Sequence, residues 1–161
     1  MSKRKSWQEK LADNKDLPKI GRITGKMTTR WGKGTIVIPA PREVDAIMRR
    51  VPRGKLITIK EIRVLLAKQH KANFACPITT GIFAWIAAHA AEEAAAEGKK
   101  KSTPYWRTLK TGGELNAKYP GGVERLRERL KAEGHQIITK GKRFLVADYE
   151  KRLATLSNRF P

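Results

Sequence analysis

Two helical patterns lie close together in the middle of the chain, and they restrict the fold more than any other feature. The first is PRGKLITIKEIRVLLAKQH, from Pro52 to His70, where Ile59, Ile62, Leu65 and Leu66 recur at helical spacing. Thr58 with Glu61 makes a capping box, in which side-chain oxygens take up backbone N–H groups that a helix start leaves without partners. The second is PITTGIFAWIAAHAAEEAAAEG, from Pro77 to Gly98. Here Ile78, Ile82, Trp85, Ile86 and His89 fall in one line, which predicts a buried stripe on that side. Thr79 or Thr80 is the expected N-cap, and Gly98 followed by lysines is the expected stop. The Ala/Glu tract from Ala90 to Glu97 reads as simple extension of this helix.

Two helices joined this way form a helix-turn-helix, and the neighbouring segments complete a winged one. TIVIPAP (Thr35 to Pro41) reads as a short strand, and Val44, Ile47, Met48 and Val51 then share one helical face closed by Pro52. From about Gly122 to Glu133 a further helix turns Val123, Leu126 and Leu130 inward and Arg125, Arg127 and Arg129 largely outward. HQIITKGKRFLVADYE alternates about a Lys-Gly-Lys turn, the pattern of a β-hairpin, and Asp148 to Leu156 reads as a last short helix. The expected fold is mainly α with small β: a winged helix-turn-helix domain over residues 35–161, with a terminal β-hairpin as its wing. Residues 1–34 read as a basic, partly ordered N-terminal arm, with KRK at Lys3 to Lys5 and a short amphipathic turn around Trp7 and Leu11.

The charge balance then narrows the partners. Thirty-five basic against 15 acidic residues give a net charge of +20 in 161 residues. A compact surface with that excess repels itself unless a polyanion shares it. Nucleic acid is the first candidate, because releasing phosphate counterions draws basic proteins onto it whatever its sequence. An anionic membrane surface and a merely soluble basic protein come second and third. No apolar stretch approaches the roughly 20 residues of a membrane span, and no secretory segment follows Met1. A single cysteine, Cys76, excludes an internal disulfide and any zinc site with more than one thiolate. His70, His89 and His135 lack ligand-like spacing. No metal or cofactor is expected, and the expected state is a cytoplasmic monomer.

Phosphate contacts are expected from Arg53, Lys55, Lys60, Lys140, Lys142, Arg143 and the N-terminal arm. The face of the second helix opposite its apolar line, Thr80, Phe83, Ala84 and Ala87 with Thr79 beside them, has no Arg, Lys, Asn or Gln to read base edges. Small residues there suit close approach to a minor groove, with Phe83 as a wedge, or packing against another helix. In STPYWRTLKTGGEL, Tyr105, Trp106 and Arg107 set two aromatics and a cation before a glycine pair, an arrangement able to hold a planar group.

VPRGKLITIKEI, the helix-turn-helix, PYWRTL, YPGG and RLKAEGH follow one another in the order and approximate spacing of a known family. From about Pro41 to Val146 the chain resembles the C-terminal domain of O6-alkylguanine-DNA alkyltransferases and their non-catalytic relatives, the alkyltransferase-like proteins. The residues before Pro41 do not resemble that family's N-terminal domain. The resemblance implies a helix-turn-helix in the minor groove and a damaged guanine flipped into a pocket, since its O6 atom cannot be attacked within the stack. In the enzymes a cysteine in Pro-Cys-His-Arg-Val takes the alkyl group, held as thiolate by a histidine linked to a glutamate.

Pro104 and Arg107 match the Pro and Arg of that motif, whereas Tyr105 stands at the cysteine and Trp106 at the histidine. Glu133 matches the glutamate but has no histidine to act on. A phenol with an ordinary pKa of about 10 is a poor alkyl acceptor, so transfer by the family mechanism is not expected. Cys76 lies away from the motif and reads as a small buried hydrophobe. The arginine that fills the vacated base stack aligns with Thr80, and the tyrosine that turns the target phosphate aligns with Ile59, which fits the apolar stripe. Tyr119 matches a pocket-wall tyrosine, but Pro120 after it has no N–H to offer. Tyr105, Trp106, Arg107, Tyr119 and Glu133 are thus base-pocket candidates that either hold a base or fill the old cavity. The resemblance implies a non-enzymatic protein that binds DNA ahead of RNA, through phosphates and a flipped or alkylated base, with a repair protein as a further partner. Its rivals are a basic adaptor on RNA or a ribosomal partner with a plugged pocket, and a repair enzyme with a non-standard acceptor.

Overall fold

A computed structural model describes residues 4–156; Lys3 of the basic tripeptide and the residues after Leu156 lie outside the described residues. In chain order the elements are α1 (Trp7–Ala12), β1 (Lys19–Arg22), α2 (Met27–Trp31), β2 (Thr35–Ile38), α3 (Pro41–Arg49), β3 (Ile57–Thr58), α4 (Ile59–Gln69), β4 (Phe74–Ala75), α5 (Pro77–Ala96), β5 (Thr108–Leu109), α6 (Gly122–Ala132), β6 (Ile137–Lys140) and β7 (Arg143–Val146). Single 3-10 turns occupy Tyr105–Arg107 and Tyr149–Arg152. The architecture is mainly helical with small sheets, as the sequence suggests.

The longest helix, α5, packs against α1, α3 and α4. It does so with its small residues: Thr80, Ala84, Ala87 and Ala88 are fully buried, with Ala90 and Ala91 close behind. Ile78 and Ile82 are instead 60% and 46% exposed. This reverses the orientation predicted from the Ile78–His89 line. The physical reason is that α5 is apolar nearly all round, so periodicity does not select a side, and the alanine face lets α3 and α4 approach most closely. The predicted N-cap is also displaced. Cys76 occupies that position and Pro77 the first helical one, where its missing N–H costs nothing. Thr80 sits a turn inside, its hydroxyl donating to the Cys76 carbonyl at 2.6 Å.

The start of α4 matches the sequence signal, the Glu61 carboxylate accepting from the Thr58 N–H at 3.1 Å and hydroxyl at 2.5 Å. Val44, Ile47 and Met48 of α3, Ile62, Leu65 and Leu66 of α4, and Leu126 and Leu130 of α6 close the core around α5. Ile57 and Leu109 join it from the parallel pair β3–β5, and Leu56 from just before β3.

Strand β1 runs antiparallel to β2, and β2 runs parallel to β4, so residues on both sides of position 34 share one sheet. The segment read as a partly ordered arm is folded onto the rest. Trp7 stacks on His89 with centroids 4.4 Å apart and meets Trp85 edge-on at 4.8 Å. The Trp7 and Gln8 backbone N–H groups both donate to Glu93 at 3.1 Å. The expected hairpin is present: β6 pairs antiparallel with β7 from Ile137↔Val146 to Lys140↔Arg143, turning at Gly141 and Lys142. Gly141 has φ +63°, a conformation glycine adopts without a Cβ penalty. The last segment makes one 3-10 turn, and Leu153 bridges to Leu56.

Candidate nucleic-acid interface

The PYWR corner forms where the chain leaves α5 and turns against α6. Tyr105 is only 2% exposed and Tyr119 3%, their rings 6.2 Å apart, edge to face. The Tyr105 hydroxyl donates to Glu92 at 3.1 Å, and Glu92 also pairs with Arg125 at 3.0 Å. Burial and then the nearby Glu92 carboxylate push the Tyr105 phenol up to about 12; burial alone moves Tyr119 upward as well. Tyr105 is therefore a buried core residue whose phenol stays protonated at neutral pH.

Glu133 has more to do than the sequence suggests. Its carboxylate takes the Trp106 indole N–H at 2.8 Å, the Arg107 guanidinium at 2.9 Å and the Gly54 N–H at 3.4 Å. Burial alone would raise its pKa, but the bonds from Arg107 and Trp106 outweigh that and hold it below the usual carboxylate range. Arg107 also donates to the Val51 carbonyl at 2.8 Å, and Arg129 lies over the Trp106 ring at 4.3 Å. An indole and a guanidinium thus occupy this carboxylate. Neither can accept a proton from a nucleophile.

The open site lies next to this corner, on the face of α5 that the sequence assigned to the core. A groove of about 540 Å³ is lined by Ile59, Pro77, Ile78, Gly81, Ile82 and Trp85 on one side. Lys110, Thr111, Asn116 and Lys118 line the other. Trp85 is fixed there by its indole N–H, which donates to the Lys118 carbonyl at 3.2 Å, and His89 meets the same carbonyl at 3.1 Å. Nothing stands within 4 Å of where a Gly81 side chain would begin, so the helix surface is bare at that point. Ile59, expected in the core, is half-buried and forms part of this wall.

Several predicted contact residues fall elsewhere. Thr80 and Ala84 are fully buried and cannot touch a ligand. Thr79 is half-buried. Phe83 faces the N-terminal segment, lining a hollow with Lys5, Lys10, Leu17 and Pro41 rather than standing free as a wedge. Among the predicted cations, Lys55, Lys60, Lys140 and Lys142 are exposed. Arg53 is exposed but donates to the Ala132 carbonyl at 3.1 Å, and Arg143 pairs with Glu114 at 3.1 Å. Lys110 and Lys118 were not singled out by the sequence; their one signal is that they flank the glycine pair after PYWR. Cys76 is buried. Among the described residues no three His, Cys, Asp or Glu side chains gather as a metal site would require, and no helix is long and apolar enough to cross a membrane.

No family model and no curated protein matches the chain. Among solved structures, it is similar to S. pombe Atl1, crystallised in complex with damaged DNA containing O6-carboxymethylguanine, with a TM-score of 0.51 and 17% identity. The match covers 72% of this chain and 94% of the other. At that identity the likeness is one of fold, and it extends over nearly the whole of a DNA-bound protein.

Proposed function

We propose that this chain is a non-enzymatic, winged helix-turn-helix DNA-binding protein of the alkyltransferase-like type. In this reading the exposed face of α5 enters the minor groove, and the β6–β7 hairpin serves as the wing. The observation that carries it is the fold shared with a protein solved on damaged DNA, over 94% of that protein's length. The +20 charge and the lysines on the rim of the groove supply the phosphate contacts such a fold requires. The bare surface at Gly81, between Ile78 and Ile82, suits close approach of a helix to the sugar edges and gives two apolar side chains that can press between base steps. The absence of a nucleophile at the PYWR corner, where Tyr105 is a buried neutral phenol, argues against alkyl transfer.

A flipped or alkylated base would rest in the groove against Trp85, not in the cavity that Tyr105, Trp106 and Arg107 now fill. Aromatic stacking on an unpaired base is worth about 1–3 kcal/mol. The test is a binding series on otherwise identical duplexes carrying guanine or O6-alkylguanine. Tighter binding to the modified duplex, reduced to the level of the plain one by Trp85→Ala, supports the reading. Equal affinities would remove the modified base from it, and alkyl label stably attached to the protein would overturn the non-enzymatic assignment.

A further inference from the structure

We propose that the segment from β1 to β2 is a second cationic wing, which grips the duplex backbone on the flank of the groove away from the β6–β7 hairpin. The inference rests on the DNA-binding reading above and assigns a surface that lies outside the alkyltransferase resemblance. Between Asp16 and Glu43 the sequence has no acidic residue, yet carries Lys19, Arg22, Lys26, Arg30, Lys33 and Arg42. Arg22, Lys26, Arg30 and Lys33 are all exposed and have no ion-pair partner among the described residues. Every residue of β1 is exposed as well, including Ile20 at 54%. A surface so uniformly basic and uncompensated is complementary to a polyphosphate and to little else.

Its position follows from three joints. β2 pairs with β4 at Ile36↔Phe74 and Val37↔Ala75, and the residue after Ala75 caps α5, so the segment is stitched to the strand that feeds the groove-lining helix. Asn73 locks the joint, its side-chain oxygen accepting from the Thr35 N–H at 2.9 Å. Trp31 at the end of α2 packs on Phe74 with centroids 5.4 Å apart, and Arg63 of α4 covers the same ring at 4.4 Å. Lys60, Arg63 and Val64 then line a shallow hollow that carries the surface from this joint to Ile59 at the groove wall. The β6–β7 hairpin is attached to the other wall: Leu115 N–H donates to the Phe144 carbonyl at 2.9 Å, and Val146 N–H to the Gly113 carbonyl at 3.0 Å. The groove thus has one basic hairpin behind each wall.

The test uses the full chain and a plain DNA duplex, with affinity measured over a series of salt concentrations. Arg22→Gln, Lys26→Gln and Arg30→Gln combined are expected to lower affinity about tenfold or more, and to make the slope of log affinity against log salt shallower by about 2–3. Lys99→Gln, Lys100→Gln and Lys101→Gln remove the same charge beyond the far end of α5, about 30 Å from its start, and are expected to leave the slope nearly unchanged. Equal effects of the two triple variants would mean net charge alone, and would overturn the wing. A photocrosslinker attached through Lys26→Cys gives an independent readout, since Cys76 is buried; crosslinking to the duplex supports the wing and none overturns it. Ile82→Asp in the groove separates the two ideas. If it abolishes binding that the wing variant leaves intact, the wing falls and the DNA-binding reading stands. If the unmodified chain ignores duplex DNA, both fall.

Discussion

Glu133 ties Trp106, Arg107 and Gly54 together at the PYWR corner. With the carboxylate only 4% exposed and Arg107 only 14%, the pair depends on its hydrogen bonds to offset the loss of water. Removing one partner leaves the other charge buried and unmatched, so Glu133→Ala is expected to cost about 3–5 kcal/mol in chemical denaturation. Acid acts on the same place. Glu133 is held below its usual range despite burial. The neighbouring His135 is pushed down by burial, partly countered by the Glu133 charge and reinforced by Arg152 and Arg107. Both groups bind fewer protons folded than unfolded, so their contribution is complete above the unfolded histidine value of about 6.5. It is lost as pH falls, first through the histidine window and then through the carboxylate one below about 4.3. The thermal midpoint should therefore decline on acidification from pH about 6.5, and Glu133→Gln should flatten the lower limb. A midpoint that rose on acidification would contradict this assignment.

At the level of elements, α5 decides what lies inside. Gly81 sits in mid-helix with open space above it, so Gly81→Ala should stabilise the fold by about 0.5–1 kcal/mol, a gain readable as a higher thermal midpoint. A loss would mean that the position is crowded or non-helical. The same helix marks the limit of what could be read from sequence. The cap at Thr58 and the stripes of α3 and α6 were legible because polar and apolar residues alternate there with a clear period. In α5 both faces are apolar, and the choice between isoleucine and alanine sides was made by the close approach of α3 and α4, a tertiary fact without a local signature. The PYWR corner was legible as a cluster that either holds a base or fills a cavity, but the sequence could not choose, because the packing of α3, α5 and α6 around Tyr105 is a tertiary fact. The folding of residues 6–38 onto the domain rests on long-range partners, among them Trp7 on His89, Asn73 on Thr35 and the β2–β4 pairing, which composition cannot supply.

On the proposed reading, nucleic acid meets the exposed side of α5, which Lys110 and Lys118 face, and the β1–β2 segment and the β6–β7 hairpin flank it. Neither the +20 charge nor the shared fold alone distinguishes this side from the rest of a basic surface. The most direct measurement is an NMR titration of the isotope-labelled full chain with a short plain duplex, following backbone amides. Shifts concentrated on Ile59, Ile78, Gly81, Ile82, Trp85, Lys110 and Lys118, spreading to Arg22–Lys33, are the expected result. Shifts gathered at the Lys99–Thr103 end of the molecule, or none on α5, would contradict the account.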